Sequence, residues 1–522
     1  MATMFVDSST VTRNGKSYTR HLLRSSFRNN GKVAHRTIAN ISACSDEEVA
    51  AIKLALKHKG NLASLGSVHD VKTRFGKRVG AVWCLLVVAE RLGVADALGK
   101  HRQGRLALLQ VMTRIMEQAS RLKSVRVAIS HALCEVLDIK ILNEDHLYEN
   151  LDWLCSHQEA IEKALFKRRY PNGKLPTLFL YDVTSSYLEG QCNYFGAYGY
   201  NRDKKRGKKQ IVVGLLCCPD GIPVAIRLFK GNTHDTATVS DQVRILSDSF
   251  GAKEVTLVGD RGMLRGPQIE ALPDDFRYVT ALTKPEIRTK LKDKVFQYNL
   301  FAENVCEVED GGVRYVLRRN PQRVEEMKLA RQDKLKTLTQ CAEDRTEYLA
   351  GHPRAKPGVA LRNVKAKAKQ LKIDDWTTIR ANGRAIRVEK DEDKLADISL
   401  LDGCYVVKSD LPKGDISSQA LHDRYCDLQM VERIFRTMKT VHLELRSWYV
   451  RKKASSCGHA FTVMLAVIIQ RELERYWREL DVTVEEGIEE LAAIRMEEIH
   501  LDAAVAYNNV PEPTGLSKEL LD

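Results

Sequence analysis

Four short apolar runs rich in β-branched residues constrain the fold of this chain more than anything else in it: residues 177–181, 211–218, 224–229 and 254–258. Their length and composition read as strands. Pro219-Asp220-Gly221 supplies turn chemistry between the second and third, making those two a hairpin. Asp235 stands where an N-cap would open a helix running to about residue 250, with His234 beside it given loop and capping duty. The chain then returns to the run at 254, and residues 277–282 supply a fifth strand.

Three antiparallel strands, a helix and a parallel strand follow the order of an RNase H-like core. Asp182 ends the first predicted strand, in LYDVTSSYLEG, and Asp260 ends the fourth, in TLVGDRGM. Those strands are neighbours in such a sheet, so the two carboxylates converge. Paired acids at adjacent strand ends are electrostatically costly unless a cation neutralises them. Hard divalent ions such as magnesium accept oxygen ligands of this kind, and two of them can clamp an in-line phosphoryl displacement. A third ligand is expected from a long helix over residues 417–440, containing DRYCDLQMVERIFRTMK. Tyr425, Glu432 and Lys439 are spaced seven and seven there, so they share one helix face. That spacing suits a metal ligand flanked by a Tyr and a Lys for the phosphates of a DNA strand.

The other segments have different textures. Residues 1–45 read as a basic β-rich arm, with strands at 18–27 and 33–41 around Asn30-Gly31. Residues 46–170 read as helical and suited to DNA binding. Leu108, Val111, Met112, Ile115 and Ala119 mark one buried face. Arg114, Arg121, Lys123 and Arg126 lie between and beyond them, as DNA contacts or a solvated face, while Trp83 and Trp153 are expected in the core. The first part of the core spans 171–283, an α+β insertion 284–400, and the second part of the core 401–480. The insertion carries hairpins at Asp310-Gly311-Gly312 and Asn382-Gly383 and a Lys/Arg-rich helical stretch over 322–371. An acidic tail occupies 481–522.

The chain has 522 residues and a formal net charge of +14, which favours a polyanionic partner. Arg202, Lys204, Lys205, Arg206, Lys208 and Lys209 form a dense basic loop after the Asp182 strand, expected to face DNA. The 12 cysteines are scattered without a CxxC pair, so free thiols in a reducing compartment are expected. The N-terminus lacks an apolar signal core, and the longest apolar run, 460–469, is too short to span a bilayer. A cytoplasmic, nucleoid-associated protein with no membrane contact is therefore expected. Gly99 and Gly104 have P-loop spacing, but Arg105-Leu106 follows them, and no HExxH occurs, which excludes those nucleotide and zinc chemistries.

Several of these segments together resemble the insertion-sequence DDE transposases marked by a Tyr-x2-Arg-x3-Glu-x6-Lys signature. Tyr425, Glu432 and Lys439 match in register, and GAYGYNRDKKRGKKQIVVGLL, DGIPVAIRLFKGNTHDTATV, VGDRGM and IFRTMKTVHLELRSWYV follow in the family's order. The signature's arginine position is Leu428, leaving Arg424, Arg433 or Arg436 as alternatives for that phosphate contact. The resemblance implies Asp182, Asp260 and Glu432 as catalytic metal ligands. It implies two magnesium ions, with manganese able to substitute, and a homodimer pairing both ends of a bacterial or archaeal element. Its activity would be cleavage at terminal inverted repeats and transfer of the 3′ hydroxyl ends into double-stranded target DNA. A nuclease that cuts without joining, and a degenerate copy acting as a DNA-binding repressor, are the alternatives.

Overall fold

The computed structural model describes residues 3–29, 32–60, 71–118, 120–200, 202–203, 205, 207–439, 443, 445, 448–501 and 504–522. The chain divides into two compact units, one of residues 1–78 with 493–514, the other of residues 79–492 with 515–522.

In the first unit, β1 (Thr3–Arg13), β2 (Lys16–Asn29) and β3 (Lys32–Asn40) form an antiparallel sheet. Asn14 and Gly15 join β1 to β2 with φ of 51° and 75°, the backbone of a tight hairpin turn. The expected Asn30-Gly31 turn lies outside the described residues. Ser45 caps helix α1 (Asp46–Lys57) through a capping box with Glu48. A strand then stands where only helix was expected. β4 (Val71–Arg78) pairs antiparallel with Arg495–Leu501, which pairs in turn with Ala504–Asn509. The acidic C-terminal stretch is thus largely structured, with Val484–Ala492 helical before that hairpin.

The second unit opens with α2 (Gly80–Arg91), α3 (Arg102–Met116) and α4 (Glu144–Arg169). Leu108, Val111 and Met112 are buried on α3 as expected, Ile115 is half-buried, and Ala119 lies outside the described residues. Arg114 and Arg121 are also buried, so neither forms a solvated or DNA-facing surface. Trp83 is 51% exposed rather than in the core, and Trp153 is half-buried with its ring stacked 4.5 Å from that of His157.

The large sheet contains β5 (Leu178–Tyr187), β6 (Gln210–Cys217), β7 (Pro223–Lys230), β8 (Val255–Gly259), β9 (Phe276–Ala281), β10 (Cys306–Asp310) and β11 (Val313–Arg319). The hairpin of β12 (Thr377–Asn382) and β13 (Ala385–Lys390) stands apart, and β14 (Cys404–Ser409) completes the sheet. Its order is β10-β11-β14-β9-β8-β5-β6-β7. β6 is antiparallel to both β5 and β7, whereas β5–β8 and β8–β9 are parallel. β6 is buried along its whole length, which is why it reads as a continuous apolar run. Phe166 of α4 and Phe250 stack at 4.2 Å over one face of this sheet, beside Phe179 and Leu257.

Three expected elements differ in form. The segment after Asp235 is a 3-10 turn (Asp235–Thr238), an α-helical turn (Val239–Arg244) and a π turn (Ile245–Ser249), and the N-cap is His234, not Asp235. β10 and β11 extend the main sheet rather than opening a separate insertion. What stands apart is α5 (Pro321–Gly351), α6 (Pro357–Leu371) and the β12–β13 hairpin, around their own core of Leu338, Leu349, Val364, Trp376 and Ile386. The single helix expected over 417–440 is two, α7 (Ser418–Cys426) and α8 (Leu428–Lys439), with Asp427 between them.

α9 (Lys453–Tyr476) runs through the helical layer against α4, and it carries the apolar run. No helix among the described residues is long and apolar enough to cross a membrane. Close approach of α9 to α4 depends on Gly458, where a Cβ would lie 2.0 Å from the Leu151 carbonyl oxygen. Gly458→Ala should therefore push the two helices apart and cost about 1–3 kcal/mol, read as a lower urea midpoint. An unchanged midpoint would show that the contact yields without cost.

Candidate active site

The parallel ladder between β5 and β8 ends with Tyr181 opposite Gly259. The next residue on each strand is Asp182 and Asp260, so the register sets two carboxylates side by side. Asp182 is not the end of its strand, because β5 continues to Tyr187 along β6. It sits instead where β8 stops and a cleft of about 940 Å³ opens.

α8 lies against β5 and forms the opposite wall. Val431, Ile434, Phe435 and Met438 are buried, while Glu432 and Arg436 are exposed and line the cleft. Tyr425, Leu428, Glu432 and Lys439 all line it too, so the seven-residue spacing survives the break at Asp427. Asp182, Asp260 and Glu432 are thereby brought to one cleft. Among the described residues, however, no trio of His, Cys, Asp or Glu is drawn tightly enough together to hold a metal ion.

Burial pushes the Asp182 carboxyl up to about 7. The Val183 N–H, donating at 2.7 Å, and the positive charge of Arg202 oppose the rise, while Asp260 and Glu432 add to it. The two flanking residues of the helix are held by the protein. The Tyr425 hydroxyl donates to Asp260 Oδ1 at 3.3 Å, and burial raises its pKa. Lys439 is buried, and its ammonium donates to the Thr184 hydroxyl, the Ser185 carbonyl and Asp203 Oδ1, the last at 3.4 Å. Leu428, where the signature has arginine, is a buried residue of the cleft wall.

The basic loop is less uniform than its sequence. Arg202 lines the cleft and donates to Asp235 Oδ2 at 2.6 Å. Lys205 lies over the Tyr187 ring, Lys208 pairs with Glu189 at 2.9 Å, and Lys209 lies over the Tyr198 ring. Lys204 and Arg206 fall outside the described residues.

Two groups in the cleft were not anticipated. Asp235, read as a helix cap, faces the acids. A Cβ at Gly262 would lie 3.6 Å from Asp260 Oδ2 and 3.7 Å from Asp235 Oδ2, so the two carboxylates flank one backbone position. Beyond Tyr425 the cleft continues to Arg318, Tyr405 and His422. Arg318 donates to His422 Nε2 at 3.1 Å, and the Tyr405 hydroxyl bonds the same nitrogen. Only the unexplained polarity of the strand around Arg318 could have flagged this end in sequence.

The raised Asp182 pKa has a consequence for stability. Between the ordinary carboxylate value of 3.8 and about 7, the unfolded chain ionises first, so this group's contribution to stability falls as pH rises through that window. Asp182→Asn should therefore raise the free energy of unfolding at pH 8 in chelator, by on the order of 2 kcal/mol, and give no gain at pH 4, read from urea titrations at both values. An equal gain at both values would show that burial, not charge, is relieved.

Comparison with known proteins places the chain in a family. The family description "Transposase DDE domain" matches residues 173–469, and "IS1634 family transposase, N-terminal domain" matches residues 6–67. No curated protein matches the chain. Among solved structures, a piggyBac transposase synaptic complex with hairpin DNA aligns with a TM-score of 0.37 and 11% identity over 74% of this chain and 69% of that one, a likeness too slight to establish a shared fold. With the DDE domain matched over more than half of its length, the chain belongs to the DDE transposases of insertion sequences.

Proposed function

We propose that this transposase cuts DNA at the terminal inverted repeats of its element and joins the freed 3′ hydroxyl ends to target DNA, with Asp182, Asp260 and Glu432 as metal ligands in an RNase H-like core. The observation that carries the reading is the β5–β8 register, which brings Asp182 beside Asp260 at the cleft that Glu432 lines. The arrangement β7-β6-β5-β8-β9, three antiparallel strands followed by two parallel ones, supports the core assignment.

By the chemistry of its donors, though not by their present spacing, the trio suits magnesium or manganese. All three side chains offer hard oxygen donors, and the charged form of Asp182 is disfavoured first by burial and then by its acidic neighbours. Two bound ions would supply Lewis acidity toward the scissile phosphate and a stabilised oxygen nucleophile. The chain's own residues do the rest by position. Val183 N–H and Tyr425 orient the carboxylates of Asp182 and Asp260. Tyr425, Arg436 and Lys439 on the helical wall, with Arg202 and Lys204, Lys205, Arg206, Lys208 and Lys209 of the basic loop, are the proposed DNA contacts. Catalysis here rests on orientation and charge neutralisation without a covalent intermediate. A homodimer holding two ends, acting where the genome lies, completes the proposal.

Asp182→Ala, Asp260→Ala and Glu432→Ala should each lower magnesium-dependent cleavage of an end-labelled terminal repeat at least about a hundredfold, with binding of that repeat retained. Metal-dependent cleavage by Asp182→Ala at the wild-type rate would overturn the assignment. Joining of the labelled end to supercoiled plasmid is expected of the wild type, and cleavage without joining would favour a nuclease. Lys439→Gln should weaken binding of a cleaved end and reduce its salt slope by about one. An unchanged slope would confine Lys439 to holding Thr184, Ser185 and Asp203.

A further inference from the structure

The helical module between β11 and β14 has a charge distribution that the cleft does not explain. Residues 352–390 contain eleven Lys and Arg against three acids, and no acid occurs between Glu347 and Asp374. α6 buries one narrow face, Ala360, Val364 and Ala368, in the module's core. Arg362, Lys365 and Lys369 follow a three-and-four spacing on its exposed side, and exposed Lys372 stands just past its end. Among the described residues none of these four makes an ion pair, although the same module pairs Arg331 with Asp402 and Lys390 with Glu392.

Folding does not require this arrangement. The helix dipole favours cations in the last turn, which accounts for Lys369 and Lys372 but not for Arg362 or Lys365. Like charges a turn apart weaken a helix, and no acid on α6 offsets them. The hairpin repeats the pattern, because Arg380 and Arg387 are directly opposite each other and both exposed. Such a cross-strand pair of like charges is destabilising. Two unfavourable choices in one module point to a ligand that compensates both.

We propose that the exposed face of α6, with the Arg380–Arg387 pair, is a binding surface for the phosphate backbone of double-stranded DNA, separate from the cleft that holds Asp182, Asp260 and Glu432. From residue 362 to 372 the stripe runs about 15 Å, a length over which a duplex carries on the order of nine phosphate charges. Long flexible side chains without fixed partners suit contact with a repeating backbone rather than with base edges. The inference rests on the transposase reading only in taking DNA as the polyanion.

The test uses the full chain and a mixed-sequence duplex of about 40 base pairs, titrated between roughly 50 and 200 mM salt. Replacing Arg362, Lys365, Lys369 and Lys372 together with Gln should lower the salt slope by about three to four and weaken binding more than tenfold. The charge-retaining set R362K, K365R, K369R and K372R should bind as the wild type does. Should the fourfold variant fail to fold, K365Q with K369Q should still lower the slope by about two. R380Q with R387Q should weaken binding while raising the unfolding midpoint. A steep wild-type slope that none of these variants changes overturns this surface but leaves the cleft proposal standing, whereas a wild type without salt-dependent duplex binding sinks both. Loss of binding to anionic phosphatidylserine vesicles or to poly-glutamate, with the DNA slope unchanged, also overturns it.

Discussion

The pairing of β5 with β8 governs the site, because a parallel ladder fixes which residues emerge together where it stops. Its last rung, Tyr181 opposite Gly259, leaves Asp182 and Asp260 adjacent. A shift of one residue would turn each side chain to the other face of the sheet. The apolar residues of both strands, Phe179 and Tyr181 on one and Val255 and Leu257 on the other, are buried in a common core, so such a shift would expose them. Hydrophobic burial thus holds two like charges at a spacing they would not choose. The Asp182 carboxyl shows the cost, its pKa raised chiefly by burial and further by the charges of Asp260 and Glu432.

The remaining wall is built to keep those acids in place. α8 presents a buried face of Val431, Ile434, Phe435 and Met438, which fixes its rotation and directs Glu432 into the cleft. Lys439 anchors its last turn to Thr184 and Ser185, residues of the same β5 strand that carries Asp182. The break at Asp427 lets α7 bring the Tyr425 hydroxyl to Asp260. Arg202, divided between Asp235 and the field at Asp182, ties the basic loop to the same centre.

What the sequence made legible is what local chemistry decides. The five strands from β5 to β9 announced themselves through apolar β-branched runs, and the trio of acids through motif and phase. The failures share a cause, which is that a partner distant in sequence decides the outcome. VKTRFGKR becomes β4 only because Arg495–Leu501 lies beside it. Arg121 looks like a surface residue until His459, more than three hundred positions later, packs against its guanidinium at 3.2 Å. Asp235 has the composition of a cap, yet the nearby Arg202 outcompetes the helix N-terminus for its carboxylate. β10 and β11 read as part of an inserted module because nothing in them reveals that β14, beyond the helices, pairs with β11.

The distribution of charge decides how a polyanion can use this molecule. The net charge is +14, and the cleft sets Asp182, Asp235, Asp260 and Glu432 among Arg202, Arg261, Arg318, Arg436 and Lys439. Two of its cations already serve protein oxygens, Arg202 at Asp235 and Lys439 at Asp203 and β5. Screening over about 8 Å at physiological ionic strength confines the balance to the charges within the cleft. On the proposed reading, a DNA strand that passes the carboxylates is held more tightly as ions neutralise them, so ion binding and strand binding there are coupled. The exposed face of α6 carries no such penalty, because no acid on that helix stands beside its cations. A transposase with both features can hold duplex through backbone contacts at one place while strand binding at the other is coupled to ion binding.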